Sequence, residues 1–216
     1  MATHVYYQGE YVYRGVIFPG YIRRNLARAF EEQFECRDDD VFIVSYPRSG
    51  TTWTTEMVSL VMNGGDTEYN MSDIQHTRVP QIEVNYKPNI MRIKDFRSFN
   101  DAFEWSKSIP SPRLMRTHLQ YNLFAKEPIK RKCKFIYVAR NPKDMLVSYY
   151  YFYKMCRVHG CYDGSWAAFF RKFINKQRII GDWRNHFTLA QNEEFNKLYE
   201  YKMKDTGLSF QWDGEN

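Results

Sequence analysis

Residues 41–53, VFIVSYPRSGTTW, decide how the rest of the chain is read. The apolar, β-branched run at 41–46 has strand character. It ends at Pro47, Arg48, Ser49 and Gly50, and two threonines then open a helical pattern. A strand that turns sharply into a helix points unsatisfied backbone N–H groups outward, here at Ser49 to Thr52. Gly50 lets the backbone turn closely around a ligand, the hydroxyls of Ser49, Thr51 and Thr52 add donors, and Arg48 adds a permanent positive charge. The stretch predicts a phosphate or sulfate cradle. It is not a Walker A loop, which needs Gly-Lys-Ser/Thr after four spacers from an earlier Gly; here there is one Gly and no Lys. A helix cap alone would need a single Ser or Thr.

Working outward, Thr51 to Asn63 carries Trp53, Met57, Leu60 and Val61 at helical spacing, and Gly64-Gly65 stops it. Upstream, Asn25 to Phe34 reads as a short amphipathic helix, followed by the charged turn CRDDD. Downstream, Asp66 to Pro112 is mixed and predicts short helices and loops around the site. RLMRTH (113–118) and KFIYVAR (134–140) are short strands, the second apolar enough for a central parallel strand. Asn141-Pro142 then caps a helix running to about Met155, GSWAAFFRKFI starts another with a Ser cap, and NEEFNKLYEYKMKD (192–205) has a strong helical period. Alternating strands and helices predict an α/β fold, a parallel sheet with helices on both faces, in one domain over 1–216. Ligands in such sheets sit beyond the C-terminal strand ends, where Pro47 to Thr52, Thr117-His118 and Arg140-Asn141 all fall.

Composition narrows the partners. A surplus of 31 basic over 25 acidic side chains gives a net charge of +6, which favours anionic ligands. No long basic block, RNP-like motif or zinc-finger spacing points to nucleic acid. No apolar run suits a membrane span and the N-terminus has no signal-peptide pattern, so the expected compartment is the reducing cytoplasm. Cys156-x-x-His159-x-Cys161 is a possible metal trio, but the four cysteines read better as reduced structural thiols, with no metal. Aromatics reach 18%, which fits either an aromatic-rich core or a pocket for a flat ligand.

Two further stretches carry chemistry. Arg140 stands at a strand end with Ser148 two helical turns on, a pair that suits a second anionic group or, equally, an ordinary surface Arg and helix Ser. His118 lies just past a strand, where a near-neutral imidazole can take a proton from a hydroxyl. His4, His76 and His159 read as ordinary surface or core residues.

At these stretches the sequence resembles the cytosolic sulfotransferase family. YPRSGTTW (46–53) is similar to the family's YPKSGTTW loop, Arg116-Thr117-His118-Leu119 to its K-T-H-L element, and Arg140 to Asp144 with Val147 to Tyr150 and Phe152 to its 3′-phosphate segment. GDWRNHFTLAQNEEF (181–195) is similar to the family's GDWKNHFT-type segment. The resemblance implies a P-loop-like sulfotransferase fold and a homodimer-forming enzyme moving a sulfuryl group from 3′-phosphoadenosine 5′-phosphosulfate to a phenol, steroid, alcohol or amine. It implies that Arg48 and Ser49 to Thr52 (Ser49, Gly50, Thr51, Thr52) hold the 5′-phosphosulfate, with Trp53 against the adenine. Arg140 and Ser148 would hold the 3′-phosphate, His118 would be the base with Arg48 opposite, and Arg116, His118 and Phe152 would meet the acceptor. The segment 184–193 is similar to the family's dimer motif, with Arg184 for Lys and Leu189 for Val.

Four departures from the family pattern bear on function. Arg48 and Arg116 replace lysines, and Gln120 replaces a Pro. Arg48 keeps charge and can bind bidentately but does not donate its proton. The largest departure is a missing internal block near 173–180, where only about eight residues separate Phe173 from Gly181. The implied fold is therefore an incomplete one. The alternative function is a truncated isoform that binds nucleotide or pairs with full-length subunits without turnover.

Overall fold

The computed structural model describes residues 11–14, 16–18, 22, 24–84, 102–120, 123, 132–156, 161–174 and 187–210. The chain divides into two compact units, 1–139 and 140–216, and each is described by itself.

The first unit is organised by the opening stretch. A short antiparallel pair, β1 (Tyr11–Tyr13) and β2 (Val16–Phe18), precedes α1 (Arg24–Gln33) and the strand β3 (Val41–Ser45). Then come α2 (Thr51–Met62), the short helices α3 (Thr67–Met71), α4 (Gln75–Arg78) and α5 (Ala102–Ser108), and the strands β4 (Leu114–Thr117) and β5 (Lys134–Val138). The three long-range strands form a parallel sheet in the order β4-β3-β5, with Val41 opposite both Leu114 and Lys134. Two layers follow from the alternation of side chains along β3 and β4. Val41, Ile43 and Leu114 pack with Val79 and with Val58 and Met62 of α2. Phe42 and Met115 face the other way, into Phe18, Ile22, Phe34, Phe103 and Leu119. Helices therefore cover both faces of β3, as the expected α/β class requires.

A buried ion pair ties the starts of these two strands. Arg113 donates to both carboxylate oxygens of Asp40, at 2.7 and 2.5 Å, and also to the carbonyls of Glu35 and Ser106. With Arg113 at 2% exposure and Asp40 at 0%, the charges persist because nearly every donor is matched.

The expectation that 134–140 is central is corrected. The central strand is β3, buried along its length, whereas β5 lies at the edge of the described sheet with Phe135 and Tyr137 45% and 62% exposed. Large aromatics suit a half-covered pleated surface as well as a core, so apolarity alone does not distinguish the two. Phe135 uses one face of its ring, stacking on Phe42 at 5.5 Å.

The second unit is helical in its described part: α6 (Pro142–Met155), α7 (Trp166–Ile174) and α8 (Leu189–Met203). Two caps are those that the sequence predicts, Asn141 and Ser165; the third, at Thr188, is not, and it starts the last helix at Leu189 rather than at Asn192. Asn141 accepts from the Lys143 N–H at 2.9 Å, Ser165 accepts from Ala168 N–H, and Thr188 forms a capping box with Gln191. Its core is aromatic: Tyr150, Phe169, Phe170 and Phe195 are buried, with Trp166, Tyr162, Phe173 and Phe187 against them. Much of the aromatic surplus is thus core. Residues 175–186, which hold most of the region assigned to the missing block and the start of the 184–193 motif, lie outside the described residues, as does His159. Among the described residues no helix is long and apolar enough to cross a membrane.

Candidate active site

The cradle forms because the chain leaves β3 at Ser45 and must restart as a helix at Thr51. The reversal needs left-handed backbone, found at Arg48 (φ 69°) and at Gly50 (φ 107°, ψ 14°). Among the described residues an added Cβ at Gly50 meets only the Val138 Cγ1, at an ordinary 3.7 Å; the backbone angle is what calls for Gly. Gly50 is the N-cap of α2 and contributes no side-chain cap bond, so the first N–H groups of the helix are left to another acceptor. Ser49 is buried, Arg48 and Thr52 are exposed, and Trp53 is 78% exposed at the first turn. An indole that open is a surface available to a planar partner.

Thr51 turns its hydroxyl inward, 2.6 Å from the hydroxyl of Ser45, so the group it offers outward is its backbone N–H. Ser45 also sets the state of His118. The His118 Nδ1–H donates to the Ser45 carbonyl oxygen at 2.8 Å, which leaves the Nε2 lone pair as the basic position of the neutral ring. Burial holds the imidazole pKa below its ordinary value; Glu83 and the Ser45 carbonyl pull it up, and Arg116 pushes it further down. A neutral ring with a fixed tautomer is what a general base requires.

Glu83 was not singled out by the sequence reading, yet it organises this loop. Residues 80–84 run beside β4, with Arg116 N–H to the Pro80 carbonyl at 3.0 Å and Ile82 N–H to the Arg116 carbonyl at 3.1 Å. That pairing buries Glu83 to 1% exposure beneath the strand end. Its carboxylate accepts from the His118 N–H and the Thr117 hydroxyl, both at 2.9 Å, and from Gln81 at 2.7 Å. One signal was available: a lone charged residue in the stretch VPQIEV (79–84), whose other residues are apolar except Gln81.

Arg116 is 3% exposed and reaches back toward the cradle. It donates to Gln75 Oε1 and to His76 Nδ1, while Gln75 in turn donates to the Thr52 carbonyl at 2.8 Å. His76, read from sequence as ordinary, is held at a pKa of about 4 by burial and by the Arg116 charge. The first unit thus brings together the cradle, Ser45, His118 and Arg116. Arg140, Ser148 and Phe152 belong to the second unit. There Arg140 is exposed just before the cap of α6, Ser148 is half-buried within that helix, and Phe152 stacks on Tyr149 at 6.1 Å.

One further cluster has metal-ligand chemistry: Cys36, Asp40 and Cys133 place their ligand atoms within 4.8 Å of one another. Both Asp40 oxygens are already engaged by Arg113, and the Arg37 N–H adds a third bond, so the carboxylate serves the fold.

Comparisons with known proteins agree with this architecture. The profile of the sulfotransferase domain matches residues 38–183 and 175–207. Sulfotransferase 1 family member D1 of Mus musculus is 42% identical over 170 residues, 78% of this chain and 54% of that protein. Sulfotransferase 1B1 of Canis lupus familiaris is 39% identical over 155 residues, 72% of this chain and 49% of that protein. The chain therefore spans about half the length of the curated relatives it matches. Mouse sulfotransferase SULT7A1, solved in complex with PAP, superposes with a TM-score of 0.58 at 25% identity, over 94% of this chain and 70% of that one. Retinol dehydratase, solved with androsterone and inactive cofactor PAP, shares the fold with a TM-score of 0.60 at 20% identity, over 87% of this chain and 57% of that one.

Proposed function

Since the chain belongs to the sulfotransferase family, we propose that it carries the donor and base sites of an enzyme moving a sulfuryl group from 3′-phosphoadenosine 5′-phosphosulfate to a small-molecule hydroxyl or amine. The observation that carries this reading is the shared residue Ser45, whose hydroxyl meets cradle residue Thr51 and whose carbonyl fixes the His118 tautomer. Anion site and base are thereby held in one piece of structure. Relatives solved with PAP support the choice of nucleotide.

The nucleotide supplies an activated sulfuryl group with a good leaving phosphate. The N–H groups at Thr51 to Trp53 and the Arg48 guanidinium take up the charge that grows on the bridging oxygen as the sulfur–oxygen bond breaks. His118 Nε2 accepts the proton from the acceptor as its oxygen or nitrogen approaches the sulfur in line. In the first unit Trp53 stacks on the adenine and Arg116 contributes to the acceptor side; for the second unit, the family resemblance assigns the 3′-phosphate to Arg140 and Ser148 and an acceptor contact to Phe152. None of these roles asks for a metal.

Purified chain incubated with labelled donor and a panel of phenols and steroids is the direct test. Transfer well above that of His118→Ala is expected; equal transfer by the two proteins defeats the catalytic reading. A second reading, nucleotide binding or subunit pairing through 184–193 without turnover, is favoured by one observation. The chain spans only about half of its relatives, and its profile match breaks in two around 175–183, where a missing internal block is proposed. That reading expects a rise in thermal midpoint with 3′-phosphoadenosine 5′-phosphate and no label transferred.

A further inference from the structure

The corner beside the cradle holds a cation that no described carboxylate contacts. Arg116 is 3% exposed and forms no ion pair with any carboxylate among the described residues. Its Nη1 and Nη2 donate to Gln75 and His76, while its Nε–H meets no acceptor among the described residues. Two acidic side chains of this region lie among the described residues, and neither pairs with Arg116. Glu56 is gripped by Arg78 at 2.7 and 2.8 Å, and Glu83 accepts from Thr117, Gln81 and the His118 N–H. Removing a guanidinium from water with no carboxylate in contact with it is costly. Glu83 keeps its own charge, since its three donors are neutral; what the guanidinium lacks is an acceptor for Nε–H and a carboxylate in contact with it, and a bound anion would bring both.

Position and orientation are fixed from the cradle side. Gln75 links the Arg116 guanidinium to the Thr52 carbonyl in the first turn of α2. His76 supplies the second acceptor, and two acceptors on different nitrogens set the plane of the fork where one would leave it free to rotate. We propose that His76 is a positioning residue for anion binding: its Nδ1 lone pair holds the Arg116 guanidinium against the sulfate or phosphate group seated at the start of α2. This rests on the nucleotide-binding reading above, moves Arg116 from the acceptor side to the anion of the donor, and adds a residue that the sequence motifs do not contain. The lone pair exists only on the neutral ring, a state that burial and the neighbouring charge enforce. An Asn can present its Oδ1 where the imidazole presents Nδ1, whereas a Phe fills the space and accepts nothing.

Four full-length variants test the idea: His76→Phe, His76→Asn, Arg116→Ala and the double variant His76→Phe/Arg116→Ala. Each is titrated with 3′-phosphoadenosine 5′-phosphate by calorimetry, with the unliganded thermal midpoint recorded alongside. His76→Phe should weaken binding about tenfold, the scale of one hydrogen bond to a charged group. His76→Asn should stay within about twofold of wild type, and His76→Phe should add no loss once Arg116 is gone. Binding by His76→Phe equal to wild type overturns the proposal. So does equal loss in Phe and Asn, or losses that simply add in the double variant, since a purely structural defect would persist without Arg116. A wild-type chain that binds no nucleotide overturns the functional reading itself. Wild-type binding with an unaffected His76→Phe overturns only the role of His76.

Discussion

Replacing His118 by Asn separates the base from the scaffold that holds it. In the native chain Nδ1–H donates to the Ser45 carbonyl at 2.8 Å and the backbone N–H donates to Glu83 at 2.9 Å. The Asn amide N–H can keep the first bond and the backbone keeps the second, so the loop stays in place while the Nε2 lone pair disappears. A positioned base contributes about 10²–10⁴ in rate, or about 3–5 kcal/mol of barrier. The expected outcome is a loss of kcat/KM on that scale with the nucleotide-induced rise in thermal midpoint retained. A pH profile of the wild type supplies the independent check. The ring must be neutral to accept a proton, and burial sets its pKa below 6.5, with Arg116 pushing the same way and Glu83 and the Ser45 carbonyl opposing. The acid limb of kcat/KM should therefore fall below pH 6.5, with a flat rate from there to about pH 8. An acid limb at or above 6.5, or a His118→Asn enzyme within threefold of wild type, refutes the assignment.

Two further outcomes follow from the same geometry. Gly50→Ala forces a Cβ onto φ 107°, and because the nearest atom would be at an ordinary 3.7 Å the penalty is backbone strain, about 1–3 kcal/mol; a denaturation midpoint unchanged from wild type contradicts this. His76 has a folded pKa of about 4 against 6.5 for the free side chain. Its folded value is depressed, so between pH 6.5 and 4 the unfolded chain binds the proton and the folded chain does not, and stability falls as pH falls through that window. The loss amounts to up to about 3 kcal/mol; urea midpoints compared at pH 7.5 and 4.5 for wild type and His76→Phe should show a smaller acid loss in the variant, and equal losses count against the buried, neutral ring.

The parts of the site that could be read in the sequence are those whose neighbours in space are also neighbours in the chain. Strand, Gly turn and helix start occupy consecutive residues from Val41 to Met62, so the backbone of the turn was legible, but the inward turn of the Thr51 hydroxyl onto Ser45 was not. Asn141 over α6 was legible for the same reason as the turn. His118 could be placed at a strand end, but its tautomer could not, because the deciding carbonyl belongs to Ser45, 73 positions away. Gln75 and His76 lie about 40 positions from the Arg116 they hold. Nothing in the spacing of QHTR (75–78) marks either residue, since the contact depends on how 80–84 pairs beside β4.

The misreading of 134–138 has the same origin. KFIYV is apolar enough to lie between two strands, and on one side it does pair with β3 along its whole length. Whether a second neighbour exists depends on chain elsewhere, and in the described sheet there is none, so Tyr137 stands 62% exposed. Side-chain chemistry limits what a strand tolerates around it; the number of its neighbours is fixed by the connections. In a chain spanning about half of its relatives, those two sources of information are expected to part company first at a sheet edge. An edge carrying Phe135 and Tyr137 is where an added strand would gain most apolar burial, which makes β5 the first place to look for protection from hydrogen exchange when this chain is mixed with a full-length relative. Unchanged protection of the 134–138 amides in that mixture would show that the edge is stable as it stands.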